Sequence, residues 1–288
     1  MLQRRRTCEG YERRGGILGR CVSRRSPGFA GRLFATEDAE FSLALVQAYN
    51  DWHVEEWCGA YPARFIPMTL PVIWDPVACA AEIRRNAARG GVHSLTFTEK
   101  NPAAMGYPSF HDFEHWKPMW DALVDTDTVL NVHIGSSGRL AITAPPDAPM
   151  DVMITLQPMN IVQAAADLLW SRPIKEYPPD LKIALSEGGT GWIPYFLERA
   201  DRTFEMHSTW TGQDFKGKKP SEVFRDHFLT CFISDHVGGA TAQRRRHRQH
   251  LLGSRLPSLR FDVARCPPNN STRYCANTTC PTTRSTKK

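Results

Sequence analysis

A histidine at the end of an apolar run is the first group in this sequence with evident chemistry. Asn131-Val132-His133-Ile134-Gly135-Ser136-Ser137-Gly138 places an imidazole where a buried strand gives way to small residues. A neutral imidazole titrates near neutrality and is the commonest metal ligand, so His133 is a candidate ligand, acid or base. A hydrogen-bonded core histidine has the same sequence signature. Ser186-Glu187-Gly188-Gly189 follows another apolar run and sets a carboxylate beside a turn into a helix, where it can bind metal, act as a base or cap that helix. Ile233-Ser234-Asp235-His236 ends a third run and reads as a turn with solvated polar residues. His111-Asp112-Phe113-Glu114-His115 matches the H-x-x-E-H zinc-peptidase pattern, which needs both histidines on one helix, one turn apart. A helix that merely starts near His111, with His115 and Trp116 facing a cleft, explains the same text.

The elements that must position these groups alternate regularly. Apolar runs predict strands at 65–70, 92–97, 128–134, 181–185 and 228–233. Between them, amphipathic spacing predicts helices at 37–57 with Thr36 as its cap, 76–89 closed by Gly90-Gly91, about 112–124, 151–170 and 193–204. Strands alternating with helices of this length imply parallel pairing, either in an open doubly wound sheet or in a (β/α)8 barrel. There is no G-x-G-x-x-G after the first strand and no G-x-x-x-x-G-K-[ST] anywhere, which removes the usual support for nucleotide binding and favours the barrel. In such folds, chemistry gathers at the C-terminal ends of the strands, where His133, Glu187 and Asp235 fall.

Composition bounds the function. With 288 residues, 41% hydrophobic and 23% charged, the chain can bury a full-sized core, which excludes a disordered or disulfide-stapled miniprotein. No continuous apolar run reaches the ~18 residues of a membrane span, and the basic start lacks an apolar secretory core, so a cytoplasmic protein is expected. The net charge of +6 is unevenly distributed: residues 1–27 carry +6, residues 240–288 carry +10, and the middle carries −10. Five of the 8 cysteines also lie in the two basic blocks.

The fragments Pro27-Gly28-Phe29-Ala30-Gly31, Ala48-Tyr49-Asn50-Asp51-Trp52, Arg64-Phe65-Ile66-Pro67, His115-Trp116, His133 to Ser137, Ser186 to Gly189, Gly191-Trp192-Ile193-Pro194 and Cys231-Phe232-Ile233 occur in this order from about residue 27 to 239. Together they resemble the amidohydrolase-related family, in the branch similar to aminocarboxymuconate-semialdehyde decarboxylase. The resemblance implies a (β/α)8 barrel with one divalent metal, usually zinc, serving hydrolysis or non-oxidative decarboxylation of a small carboxylate or cyclic substrate. It implies His133 as metal ligand, Glu187 and His115 as catalytic candidates, and Ser136, Ser137 and Trp192 against substrate. Many members have a histidine where Ser186-Glu187 stands, so Glu187 is ligand, base or neither. A homo-oligomer is admissible.

The family's strand-one H-x-H or E-x-H pair and strand-eight aspartate are missing from the basic blocks. Recoding residues 249–264 and shifting the frame yields DNISWEADYPHSDSTW, which resembles the family's strand-eight text. TCEGYERR and RCVSRRS of the first block recode in the same way to RAKDMNAG and MRFPSFP. Both ends therefore read as out-of-frame translation flanking a barrel core at 28–239, expected to lack strands one, two and eight. An open barrel with a single histidine ligand is expected to be marginal in stability and activity. The alternatives are an inactive barrel remnant and a nucleic-acid arm at Arg244-Arg245-Arg246-His247-Arg248, which out-of-frame reading explains more simply.

Overall fold

The computed structural model of the chain describes residues 19–21, 35–61, 65–138, 147–231 and 235–238. Residues 1–18 and 22–34, Arg64, residues 232–233 at the end of the last predicted strand, the Arg244–Arg248 run and the whole 240–288 block lie outside these residues.

Six strands are described: β1 (Gly19–Cys21), β2 (Phe65–Pro67), β3 (Ser94–Thr98), β4 (Val129–His133), β5 (Ile183–Ser186) and β6 (Phe228–Thr230). All pair in parallel. β1 lies beside β2, β3 to β6 form a sheet in sequence order, and a parallel bridge from Thr69 to Leu95 links the two groups. Sequential parallel order with an intervening helix at nearly every step is the arrangement of a (β/α)8 barrel, incomplete among the described residues. The five predicted strands are found. β1 is an addition: its backbone fills the place next to β2 that was expected to be missing, from within the first basic block.

The helices are α1 (Ala39–Asp51), α2 (Pro76–Ala87), α3 (Phe113–Asp125), α4 (Met150–Leu156), α5 (Asn160–Leu169), α6 (Arg172–Glu176), α7 (Ile193–Thr211) and α8 (Pro220–His227). Short polar side chains start several of them. Asp38, rather than Thr36, caps α1 by accepting from the Phe41 amide at 2.9 Å, because its carboxylate reaches the exposed first-turn N–H while Thr36 bonds Ser42 and the Asp38 carbonyl. α1 then continues as a π-helical stretch over Trp52–Cys58, so the single predicted helix has two conformations. Asp75 caps α2 with Pro76 at its first position.

β3 is buried along its whole length, as a strand covered on both faces must be. Leu95, Phe97, Leu130 and Val132 of β3 and β4 pack against Trp116, Met119 and Trp120 of α3 and Ile161 and Leu169 of α5. Each such side chain contributes about 1.5–3 kcal/mol by leaving water. Met150–Leu169 is helical and, with a mean hydropathy of 1.2, is long and apolar enough by length and composition to cross a membrane, although Asp151, Gln157, Asn160, Gln163 and Asp167 keep it from being a continuous apolar run. Its second half, α5, packs Ile161, Ala165 and Leu169 into the core.

Candidate active site

β4 and β5 are neighbours in a register that sets His133 opposite Ser186, so Glu187 is the first residue beyond the partner of His133. The two side chains meet: His133 Nε2 lies 3.4 Å from Glu187 Oε1. On its other side, His133 Nδ1 is 2.7 Å from the Ile134 carbonyl, which can only accept, so Nδ1 carries the proton and Nε2 is turned toward the carboxylate. Burial works to lower the affinity of this imidazole for a proton. The bond to Glu187, the Ile134 carbonyl and the charges of Glu187 and Glu99 outweigh it and hold the pKa above the ordinary histidine value. Glu187 has φ 65°, a left-handed conformation rare for a glutamate and the kind of strain found at functional turns. The following residue has to be glycine: a Cβ on Gly188 would sit 2.4 Å from Ile161 Cβ, so the turn lies directly on α5.

The turn after His133 is held by a group the sequence reading missed. Glu99, one residue beyond β3 and 2% exposed, accepts from Ser137 N and Ser137 Oγ, each at 2.7 Å, from Ser136 Oγ at 2.9 Å and from Gly135 N at 3.2 Å. Ser136 and Ser137 are both 0% exposed; the Ser137 hydroxyl serves the Glu99 carboxylate, and Ser136 Oγ also lies 2.6 Å from the His133 carbonyl and 2.9 Å from the Phe97 carbonyl. Trp192 is half-buried: its indole donates to the Gly188 and Gly189 carbonyls and its ring packs on Phe196 and Phe224, which braces the Glu187 turn.

Asp235, expected to be solvated, closes that turn from the far side. It accepts from Thr190 N at 2.6 Å and from Gly191 N and Gly238 N, each at 2.7 Å. Burial raises its pKa, but these donated N–H bonds prevail and hold the carboxyl below its usual range. Its place after a strand marks Asp235 in the sequence, but partners 44 and 45 residues away leave no local pattern by which to read its role.

His115 is not brought into the pair. It lies in the first turn of α3, edge-on to Trp116, with its backbone N–H on the Asp112 cap. The H-x-x-E-H geometry does not form, because α3 begins after His111: the His111 ring bonds Asp167 at 2.5 Å, and Glu114 pairs with Arg172.

His133 Nε2 and Glu187 Oε1 are two groups that a divalent metal could share. Among the described residues no set of three or more His, Cys, Asp and Glu side chains gathers as a metal site. A four-coordinate centre draws three or four ligands from its protein, so the described residues do not fit a complete one.

The amidohydrolase family's sequence model matches residues 5–237. The chain belongs to the amidohydrolase family. The match extends into the first basic block, where β1 lies. Among solved structures, this amidohydrolase is similar to 5-carboxyvanillate decarboxylase from Sphingomonas paucimobilis, with 24% identity over 76% of this chain and 62% of that one and a TM-score of 0.56. An amidohydrolase from Mycobacterium avium subsp. paratuberculosis gives 20%, 73%, 52% and 0.54. The 5-carboxyvanillate decarboxylase of Novosphingobium aromaticivorans, solved with manganese and 4-hydroxy-3-methoxy-5-nitrobenzoic acid, gives 22%, 72%, 56% and 0.51. At these identities the likeness establishes the fold. The chain spans less than two thirds of each of these structures. No curated protein matches it in sequence.

Proposed function

We propose that this amidohydrolase works on a small, carboxylate-bearing cyclic substrate by hydrolysis or non-oxidative decarboxylation, with His133 and Glu187 as the proton-transferring pair. The observation that carries the reading is their adjacency at the ends of β4 and β5, where parallel α/β folds place chemistry. For decarboxylation, the bond from ring carbon to carboxylate breaks, its electron pair stays on the carbon, carbon dioxide leaves, and a proton from the His133 imidazolium replaces it. Glu187 favours that imidazolium beforehand. Two structural relatives named above are decarboxylases of an aromatic acid, and one was solved with manganese. A divalent metal, zinc or manganese, would supply Lewis acidity to such a substrate. The described residues offer it two ligands, His133 and Glu187.

That ligand count favours a second reading, a folded barrel remnant without turnover. The two separate in one assay: the full chain with zinc or manganese chloride, a panel of hydroxybenzoates and simple amides or esters, and carbon dioxide and acid release as readouts. Turnover that falls about 100-fold or more in His133→Ala and Glu187→Gln supports the pair. Turnover unchanged in both sinks it, and a folded chain without turnover is the remnant. The out-of-frame origin of residues 1–27 and 240–288 belongs to the same proposal, as does a cytoplasmic location. Sequencing the transcript across codons 1–30 and 235–288 tests that origin.

A further inference from the structure

The Gly135–Ser137 turn is an anion site built into the backbone and already filled. Gly135 has φ 77°, which turns successive amides toward one point. The N–H groups of Gly135 and Ser137 converge on the two oxygens of Glu99, as they do on anions bound in backbone nests. The Ser137 hydroxyl adds a third donor, and Ser136 Oγ accepts from the Glu99 amide at 3.1 Å, so the end of β3 and the turn after β4 are tied in both directions. Glu99 is 2% exposed and its oxygens are occupied by these donors, so it has no free face for substrate. The turn it fills begins at His133: the Ser136 amide bonds the His133 carbonyl at 3.2 Å, and the neighbouring Ile134 carbonyl is the one that fixes the imidazole.

We propose that Glu99 is the positioning residue of the site: its carboxylate fills the nest of the Gly135–Ser137 turn and so fixes the Ile134 carbonyl that aims His133 Nε2 at Glu187. The inference rests on the reading of His133 and Glu187 as the reacting pair, and its test does not depend on turnover. Without the carboxylate, two amides and the Ser137 hydroxyl lose their acceptor and Ser136 Oγ loses one of three, the turn relaxes, and the ring loses the carbonyl that holds it. An amide side chain does not substitute, because its NH2 group would face donors.

Long-range proton–nitrogen spectra of the full chain labelled at its 10 histidines read the ring directly, with His133 assigned by the signal lost in His133→Ala. In Glu99→Ala the His133 nitrogen signals shift or broaden, and tens of millimolar formate, a free carboxylate small enough for the nest, restores them. Ser137→Ala, which removes one donor and keeps the fold, gives a smaller shift in the same direction. Glu82 is the control. It is another carboxylate at 2% exposure, bonded by Asn50, Asn86 and Arg85 on α1 and α2, and Glu82→Ala costs stability while leaving the His133 signals in place. The inference is overturned if the signals are unchanged in both Glu99→Ala and Ser137→Ala, if Glu82→Ala moves them equally, or if formate restores nothing in a folded Glu99→Ala. Turnover unchanged in His133→Ala and Glu187→Gln, with these spectral results intact, would count against the reacting pair and leave Glu99 as assigned.

Discussion

The two ends of the parallel sheet each hold a histidine, half-buried at one end and buried at the other, and the two are built alike up to one atom. His133 closes β4 at the C-terminal end. His227 closes α8 and opens β6 at the N-terminal end, 2% exposed. In each, Nδ1 lies 2.7 Å from a backbone carbonyl, of Ile134 for His133 and of Leu181 for His227. The difference is at Nε2. For His133 it faces the Glu187 carboxylate, whereas for His227 it is buried without a hydrogen-bond partner. Burial, followed by the neighbouring Lys182, holds the pKa of His227 below the ordinary value, while the carboxylates around His133 raise its pKa. One fold thus makes an imidazole that favours its charge at one end and one that resists it at the other. The carboxylates make the difference: Glu99 and Glu187, which act on His133, each stand one residue beyond the C-terminal end of a strand.

Truncation exposes the contrast most strongly. His227→Ala leaves a cavity between β5 and β6 and frees the Leu181 carbonyl, and it is expected to lower stability by about 2–3 kcal/mol in chemical denaturation. His133→Ala lies at the strand end, next to a turn that Glu99 still holds, and is expected to cost about 1 kcal/mol or less while removing the proton-transfer group. Equal losses from the two substitutions would erase the distinction between a structural and a chemical histidine.

pH separates them next, with opposite signs. The folded pKa of His227 lies below its unfolded value near 6.5, so the stability it contributes is complete above that value and is lost as pH falls through the folded pKa. The folded pKa of His133 lies above 6.5, so its contribution is complete below that value and is lost as pH rises through the folded pKa. A stability profile across mildly acid to mildly alkaline pH should therefore lose its acid slope in His227→Ala and its alkaline slope in His133→Ala. If both variants flatten the same side, the partner at Nε2 does not control the difference.

How far the sequence reveals this arrangement follows from the range of the interactions. Parallel strands buried on both faces leave unbroken apolar runs, and β2 to β6 appear at the expected places for that reason. The meeting of His133 and Glu187 follows once their strands are neighbours, since both stand at strand ends. β1 was hidden because three residues within a basic stretch carry no periodicity. Glu99 was hidden because Thr98-Glu99-Lys100 reads as a charged loop, although its donors are in the turn 36 to 38 residues later. The bonds of Ser136 and Ser137 to Glu99 are hidden for the same reason: a serine pair after a strand carries no sign of a buried acceptor on another strand. His227, on a short helix ahead of a strand, gave no hint that one nitrogen would be stranded.

The smallest expected effect probes the strain at Glu187. A glutamate at φ 65° bears a conformational cost of about 1 kcal/mol that glycine does not. Glu187→Gly relieves that strain and at the same time removes the acceptor facing His133 and adds a third consecutive glycine, whose unfolded-state freedom costs about 0.5 kcal/mol or more. These terms separate with pH. At alkaline pH the imidazole is neutral, the ion pair is already lost, and the variant should be more stable than the parent by a few tenths of a kcal/mol. Near pH 6 the parent regains the pair, and the gain should vanish or reverse. Thermal melts at the two pH values decide it, and a variant less stable by the same margin at both would mean that Glu187 sits in its turn without strain. A gain confined to alkaline pH, together with loss of turnover, would mean that the fold accepts a less favourable backbone at this residue to keep a carboxylate against His133, and nothing comparable is held at the His227 end.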